Sequence, residues 1–262
     1  MDIVGYRMVV DAESRRFLDV LEHVDLGVEV PSCPGWDVAD LLWHLAEVHG
    51  FWAQIAGRLL QDPTEADDLE RPAGSELRAF ASSQRAELLD ALARRSPTER
   101  CWSWADLGGD IAWVARRQAH EALIHRVDAE LAAGVAVGTS DAALAADGVD
   151  ELLRGFVVGV PAWATWTPDG TTVALACTDV GRRFVLELGR MTGTSPDSGR
   201  SYDLDAAELL DDHAATADVE VAGDAWDLDR WLWGRGQLAE LTVAGTRAVL
   251  ERFRTLVTEA TQ

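Results

Sequence analysis

Cysteine is scarce in this chain. Cys33, Cys101 and Cys177 are odd in number and far apart, with no CxxC pair among them. That spacing suggests neither a disulfide framework nor a cysteine metal site. Basic runs are missing too. None exceeds two residues, and 45 acidic side chains against 23 basic ones leave a formal charge of −22. Such a surface repels phosphate backbones and anionic membranes, which argues against nucleic-acid and membrane partners. No apolar stretch approaches the length needed to span a bilayer. The N-terminus carries two acids within its first dozen residues, MDIVGYRMVVDA, and lacks a signal-peptide apolar run. Together these absences predict a cytoplasmic protein. Its 262 residues, 48% hydrophobic and 26% charged, suffice for one large domain or two ordinary ones.

What is present centres on residues 111–128, IAWVARRQAHEALIHRVD. Read as a helix, the seam Ile111, Val114, Gln118, Glu121, His125, Asp128 keeps one face over about five turns. The seam begins apolar and turns ionisable without leaving that face, and it contains no arginine. A carboxylate and an imidazole four residues apart on an inward face are costly unless they pair with polar neighbours or share a metal ion. His120, Glu121 and His125 resemble the zinc-protease HExxH motif but are one residue too long. His120 and His125 lie roughly 140° apart on a helix, so they cannot face one ion. The zinc-protease reading is rejected.

The chain in order predicts a helix from about Tyr6 to Val24, then a break at VPSCPGW. A second helix runs from about Val38 to Leu60, capped by Asp37 with Asp40 in its first turn. Its apolar stripe is Leu41, Leu45, Val48, Trp52, Ile55, Leu59. His44 lies about 60° from Leu41, at the edge of that stripe and within reach of a partner helix. His49, about 140° from His44, reads as a surface imidazole or one standing behind a ligand. An acidic loop over 61–74 precedes a third helix over 75–95, and an aromatic-rich connection, CWSWADLGGD, leads into the fourth. Four helices so joined predict an antiparallel bundle, and such bundles build metal sites from facing helices. His44, Glu121 and His125 fit that plan.

From near residue 145 the pattern changes. A helix over 141–158 leads to strand-like TTVALACTD and RRFVLEL, then to a weak repeat, VEVAGDAWDLDRWL against LTVAGTRAVLERF. A hairpin plus two strand–turn–helix units predicts a second, α/β domain. Trp226, Trp231 and Trp233 read as core.

The segments CPGWDVADLLWHLAEVHGFW, RRQAHEALIHRVDAELAAG, AADGVDELLRGF and DVEVAGDAWDLDRWLWGRG follow one another along nearly the whole chain. With them the sequence resembles the mycothiol-dependent maleylpyruvate isomerase family. The resemblance implies an α+β chain: an N-terminal DinB-like four-helix bundle over 1–144 and a small C-terminal α/β domain over 145–262. It implies that zinc or another divalent metal is held by His44, Glu121 and His125. It also implies that Arg235, within Gly234-Arg235-Gly236, takes part in activity, with mycothiol as the thiol cofactor and a small electrophilic or anionic substrate.

Two imidazoles and one carboxylate leave a coordination position open, the catalytic arrangement, and an open zinc site deprotonates a coordinating thiol. The thiolate then adds to an activated double bond for isomerisation, or displaces a leaving group in S-transfer. Arg235 is either an anchor for a substrate carboxylate or enolate or a cation at a helix C-terminus. Asp128 either orients an imidazole or is held by an arginine such as Arg126 or one from the first helix. Three further readings stand beside isomerisation. One is a mycothiol S-transferase in detoxification or specialised metabolism, and another is a non-catalytic DinB-like protein binding metal or ligand. The third is a metal hydrolase using His49 or His120 as base.

Overall fold

A computed structural model of the chain describes residues 1–104 and 109–261. They form two compact units, Met1–Gly138 and Thr139–Gln262. The join therefore lies ahead of the 144/145 boundary read from the sequence. The reason is local: Asp141 caps the next helix, accepting from the backbone N–H groups of Ala143 and Leu144 at 3.0 Å, so residue 144 already belongs to it.

The first unit holds four helices, α1 (Ile3–Leu21), α2 (Val38–Arg58), α3 (Leu77–Arg94) and α4 (Ile111–Ala132). The start of α2 is set by a reciprocal cap. The Asp37 carboxylate accepts from the Asp40 N–H at 2.9 Å, and that of Asp40 accepts from the Asp37 N–H at 3.2 Å. The expected loop over 61–74 contains two single 3-10 turns, Pro63–Glu65 and Gly74–Glu76. A two-residue ribbon, β1 (Arg100–Cys101) with β2 (Gly109–Asp110), leads into α4. The middle of the aromatic-rich connection lies outside the described residues.

α1 packs along α4, and α2 along α3. Two apolar clusters result. One contains Ile55, Leu88, Leu92, Ile111, Val114 and Ala119, and the other Phe17, Leu21, Leu41, Leu42, Leu77 and Ala129. On α4 they therefore flank the level of Glu121 and His125. Trp52, Trp102, Trp104 and Trp113 pack ring against ring at the first cluster, with centroids 4.8 to 6.3 Å apart. Trp52 meets Trp113, while His44, earlier on α2, meets Glu121, later on α4. The two helices thus run antiparallel.

The second unit opens with α5 (Ala142–Leu152), whose expected continuation to residue 158 is instead a π turn, Leu153–Val157. Then come β3 (Ala164–Cys177), β4 (Arg182–Thr194), β5 (Ser201–Leu209), β6 (Val219–Gly223), α6 (Ala225–Leu232), β7 (Thr242–Gly245) and α7 (Arg247–Ala260). The sheet order is β5-β4-β3-β6-β7, with β3 and β6 parallel and every other pair antiparallel. The hairpin and both strand–turn–helix repeats are present. β5 was not anticipated, because SYDLDAAEL is an edge strand whose three acids, Asp203, Asp205 and Glu208, dilute the apolar alternation. Trp226 and Trp231 are buried in the core, while Trp233 is half-buried and packs on Phe156. Among the described residues no helix is long and apolar enough to cross a membrane. The chain is an α+β protein: a helical bundle followed by an α/β domain.

Candidate metal centre

His44 from α2 and Glu121 and His125 from α4 converge inside the first unit. Each offers one ligand atom, and these atoms all lie within 4.8 Å of one another. Glu121 Oε1 stands between the two rings, 3.3 Å from His44 Nε2 and 3.1 Å from His125 Nε2. A tetrahedron with bonds of about 2.1 Å has edges of about 3.4 Å; both Glu121–imidazole separations match that edge, the two rings must draw together from up to 4.8 Å, and two imidazoles with a carboxylate suit zinc or a similar divalent ion. Burial alone would push His125 down. The Glu121 charge and hydrogen bonds to Asp128 and Glu121 outweigh burial and raise it to about 9. Burial likewise opposes the Glu121 charge, but His125 and Arg117 hold that carboxyl well below the usual range.

The seam's last acid, Asp128, is fully buried, with Oδ2 2.8 Å from His125 Nδ1. That contact places the proton on Nδ1 and turns Nε2 toward Glu121, the arrangement of a ligand imidazole with a carboxylate behind it. Asp128 is itself held, because Ser32 Oγ donates to its Oδ1 at 2.5 Å and Cys33 Sγ lies 3.5 Å from Oδ2. Arg126 reaches Glu13 and Glu130. Trp36 leans on the His44 ring with centroids 4.8 Å apart. The CPGW turn thus supports both imidazoles. Asp128→Ala is expected to weaken divalent-metal binding by about 10- to 100-fold, measured by competition with a chromogenic chelator. Unchanged affinity would make the Asp128 contact incidental.

Sequence reading missed Arg117. It sits one position off the seam, yet its side chain is only 2% exposed and its Nη2 lies 2.5 Å from Glu121 Oε2. The signal was available as an i,i+4 Arg–Glu pair, but such pairs are usually solvent-facing and were not weighed as part of a site.

His49 is not at the surface. It is buried between α1, α2 and α3 beside Ser14, Phe17 and Arg85. Desolvation, helped by the His125 and Arg85 charges and opposed by that of Glu121, lowers it to about 3. A base that weak and that enclosed does not serve the hydrolase reading. His120 is buried in edge contact with the Tyr6 ring, centroids 6.3 Å apart, and is not among the three converging ligands.

Arg235 belongs to the second unit, where it follows α6. Its Nη1 donates to the Trp233 carbonyl at 2.6 Å and its backbone N–H to the Arg230 carbonyl at 2.7 Å. Gly234 has φ +77°, and a Cβ on Gly236 would come within 2.8 Å of the Trp231 nitrogen. Both glycines are therefore required by the backbone, and the loop holding Arg235 is fixed.

Residues 9–130 match the family described as the mycothiol maleylpyruvate isomerase N-terminal domain, and residues 143–252 match its C-terminal domain. No curated protein sequence matches. Among solved structures, a mycothiol-dependent maleylpyruvate isomerase is similar at 15% identity and a TM-score of 0.62, covering 93% of each chain. A histidine-to-alanine mutant of a mycothiol-dependent maleylpyruvate isomerase is similar at 14% identity with the same TM-score and coverage.

Proposed function

This chain belongs to the mycothiol-dependent maleylpyruvate isomerase family, and from that premise we propose that it is a metal-dependent enzyme activating a low-molecular-weight thiol, mycothiol, against a small electrophile. The observation that carries the reading is the convergence of three ligand atoms from two helices, within 4.8 Å, inside a bundle. Zinc or another divalent ion held by His44, Glu121 and His125 would supply the Lewis acidity that delivers a thiol as its thiolate at neutral pH.

The protein's own groups do the rest. Asp128 keeps the His125 proton on Nδ1, leaving Nε2 as a donor. A thiol held at this centre would supply the nucleophile for reversible addition to a conjugated cis double bond, with negative charge developing on the substrate's carbonyl oxygen. Arg235 is the group we assign to that developing charge, or to a substrate carboxylate, through paired N–H donors. In an isomerisation the thiol would be released unchanged. The sequence has no lysine, so a Schiff base on a side-chain amine is not an alternative covalent route. S-transfer shares the thiolate and differs only in consuming it, so thiol stoichiometry separates the two reactions.

The test is retention. Metal-loaded protein is equilibrated with mycothiol, glutathione, cysteine and coenzyme A, then desalted and analysed for bound thiol. Selective retention of mycothiol is the expected result. Retention of none would remove the thiol from the reading, leaving a metal- or ligand-binding bundle without turnover.

A further inference from the structure

Arg117 is a buried charge that the scheme above leaves unused. Four residues before Glu121 on α4, it places Nη2 2.5 Å from Glu121 Oε2 with 2% of its side chain exposed. The other oxygen, Oε1, is the one facing both imidazoles, at 3.3 Å and 3.1 Å. The two oxygens of one carboxylate therefore have separate partners. We propose that Arg117 is a positioning residue that reserves a single oxygen of Glu121 for the metal and keeps the second out of the coordination shell. This inference rests on the metal reading above.

Two physical consequences distinguish that role from an ordinary helix ion pair. A glutamate ligates through one oxygen or two. Were both Glu121 oxygens to bind, a set of three donor atoms would become four and occupy the position a thiol needs. A charge-assisted hydrogen bond in a buried setting is strong and short, which makes Oε2 costly to recruit. The second consequence is charge. Arginine does not deprotonate in proteins, so the Arg117–Glu121 pair adds no net charge and leaves Asp128, behind His125, as the acid that offsets the ion. The ion then keeps more of its positive charge than it would beside an uncompensated Glu121, and with it a stronger pull on a thiol proton.

Cobalt(II) reports coordination number through the intensity of its visible bands, which fall as ligands are added. Cobalt-loaded wild-type protein should show the intense bands of a low-coordinate site and gain a thiolate charge-transfer band on adding a small thiol. Arg117→Met should lose intensity several-fold and form the thiolate band weakly. Arg117→Lys, which keeps a charge and a donor, should resemble wild type. Arg117→Gln, which keeps a donor without charge, should fall between them and decides the matter against Lys if the Met variant does not fold. A purely structural ion pair predicts the opposite pattern: lowered melting temperatures with cobalt spectra and thiol bands unchanged, which would overturn the proposal alone. A wild-type protein that takes up no cobalt would overturn the metal reading and this inference with it.

Discussion

Glu121→Ala is expected to reduce bound metal from near stoichiometric to background. Its Oε1 is the atom that both imidazoles face, at 3.3 Å and 3.1 Å, so its removal leaves two rings on different helices with nothing between them. The same change takes the Glu121 carboxylate away from Arg117, whose side chain is 2% exposed. Breaking a buried pair from one side costs about 3–5 kcal/mol, so the variant should also melt earlier. Glu121→Gln separates the two effects, because it retains a polar partner for Arg117 but is a poor metal ligand. Metal analysis by mass spectrometry alongside thermal melting checks both. Metal content unchanged in a folded Glu121→Ala protein would move the site elsewhere.

In the proposed thiol-dependent reaction, Arg235→Ala is expected to lower turnover by about 10²-fold or more, the cost of losing a charge-stabilising donor, while metal content stays intact. Arg235→Lys should recover only part, since a point charge cannot pair bidentately. Steady-state rates with each purified variant provide the measurement. The local geometry makes the outcome informative. Arg235 Nη1 already donates to the Trp233 carbonyl at 2.6 Å, the contact a cation makes when it merely closes a helix end. Full activity in the Ala variant would leave Arg235 as that closing cation. A deep loss without a change in melting temperature would assign it to the reaction.

The positions of these residues were legible to different degrees. The α4 seam was readable because a helix repeats every 3.6 residues, so Gln118, Glu121, His125 and Asp128 share a face wherever the helix is placed. The Asp37 cap, the Pro and Gly breaks and the two Ala-Gly repeats are local signals, and α2, β6–α6 and β7–α7 follow them closely. The convergence of His44 on Glu121 was an expectation from helix faces, and the structure brings them within hydrogen-bond distance.

What the sequence alone determined was therefore periodic and local: which elements form, which face of each is apolar, and which residues share that face. Tertiary structure decided the rest. It buried His49, for which helical angle alone had left either a surface place or one behind a ligand, because α1 and α3 close over the same side of α2. It selected Asp128 as the partner of His125 through a turn nearly a hundred positions away in the chain, where Ser32 holds the acid in place. It also turned Arg117 inward, since an i,i+4 pair looks the same in sequence whether it faces solvent or core. Burial and long-range partners depend on how helices pack, and packing is set by side chains that one segment's periodicity does not contain.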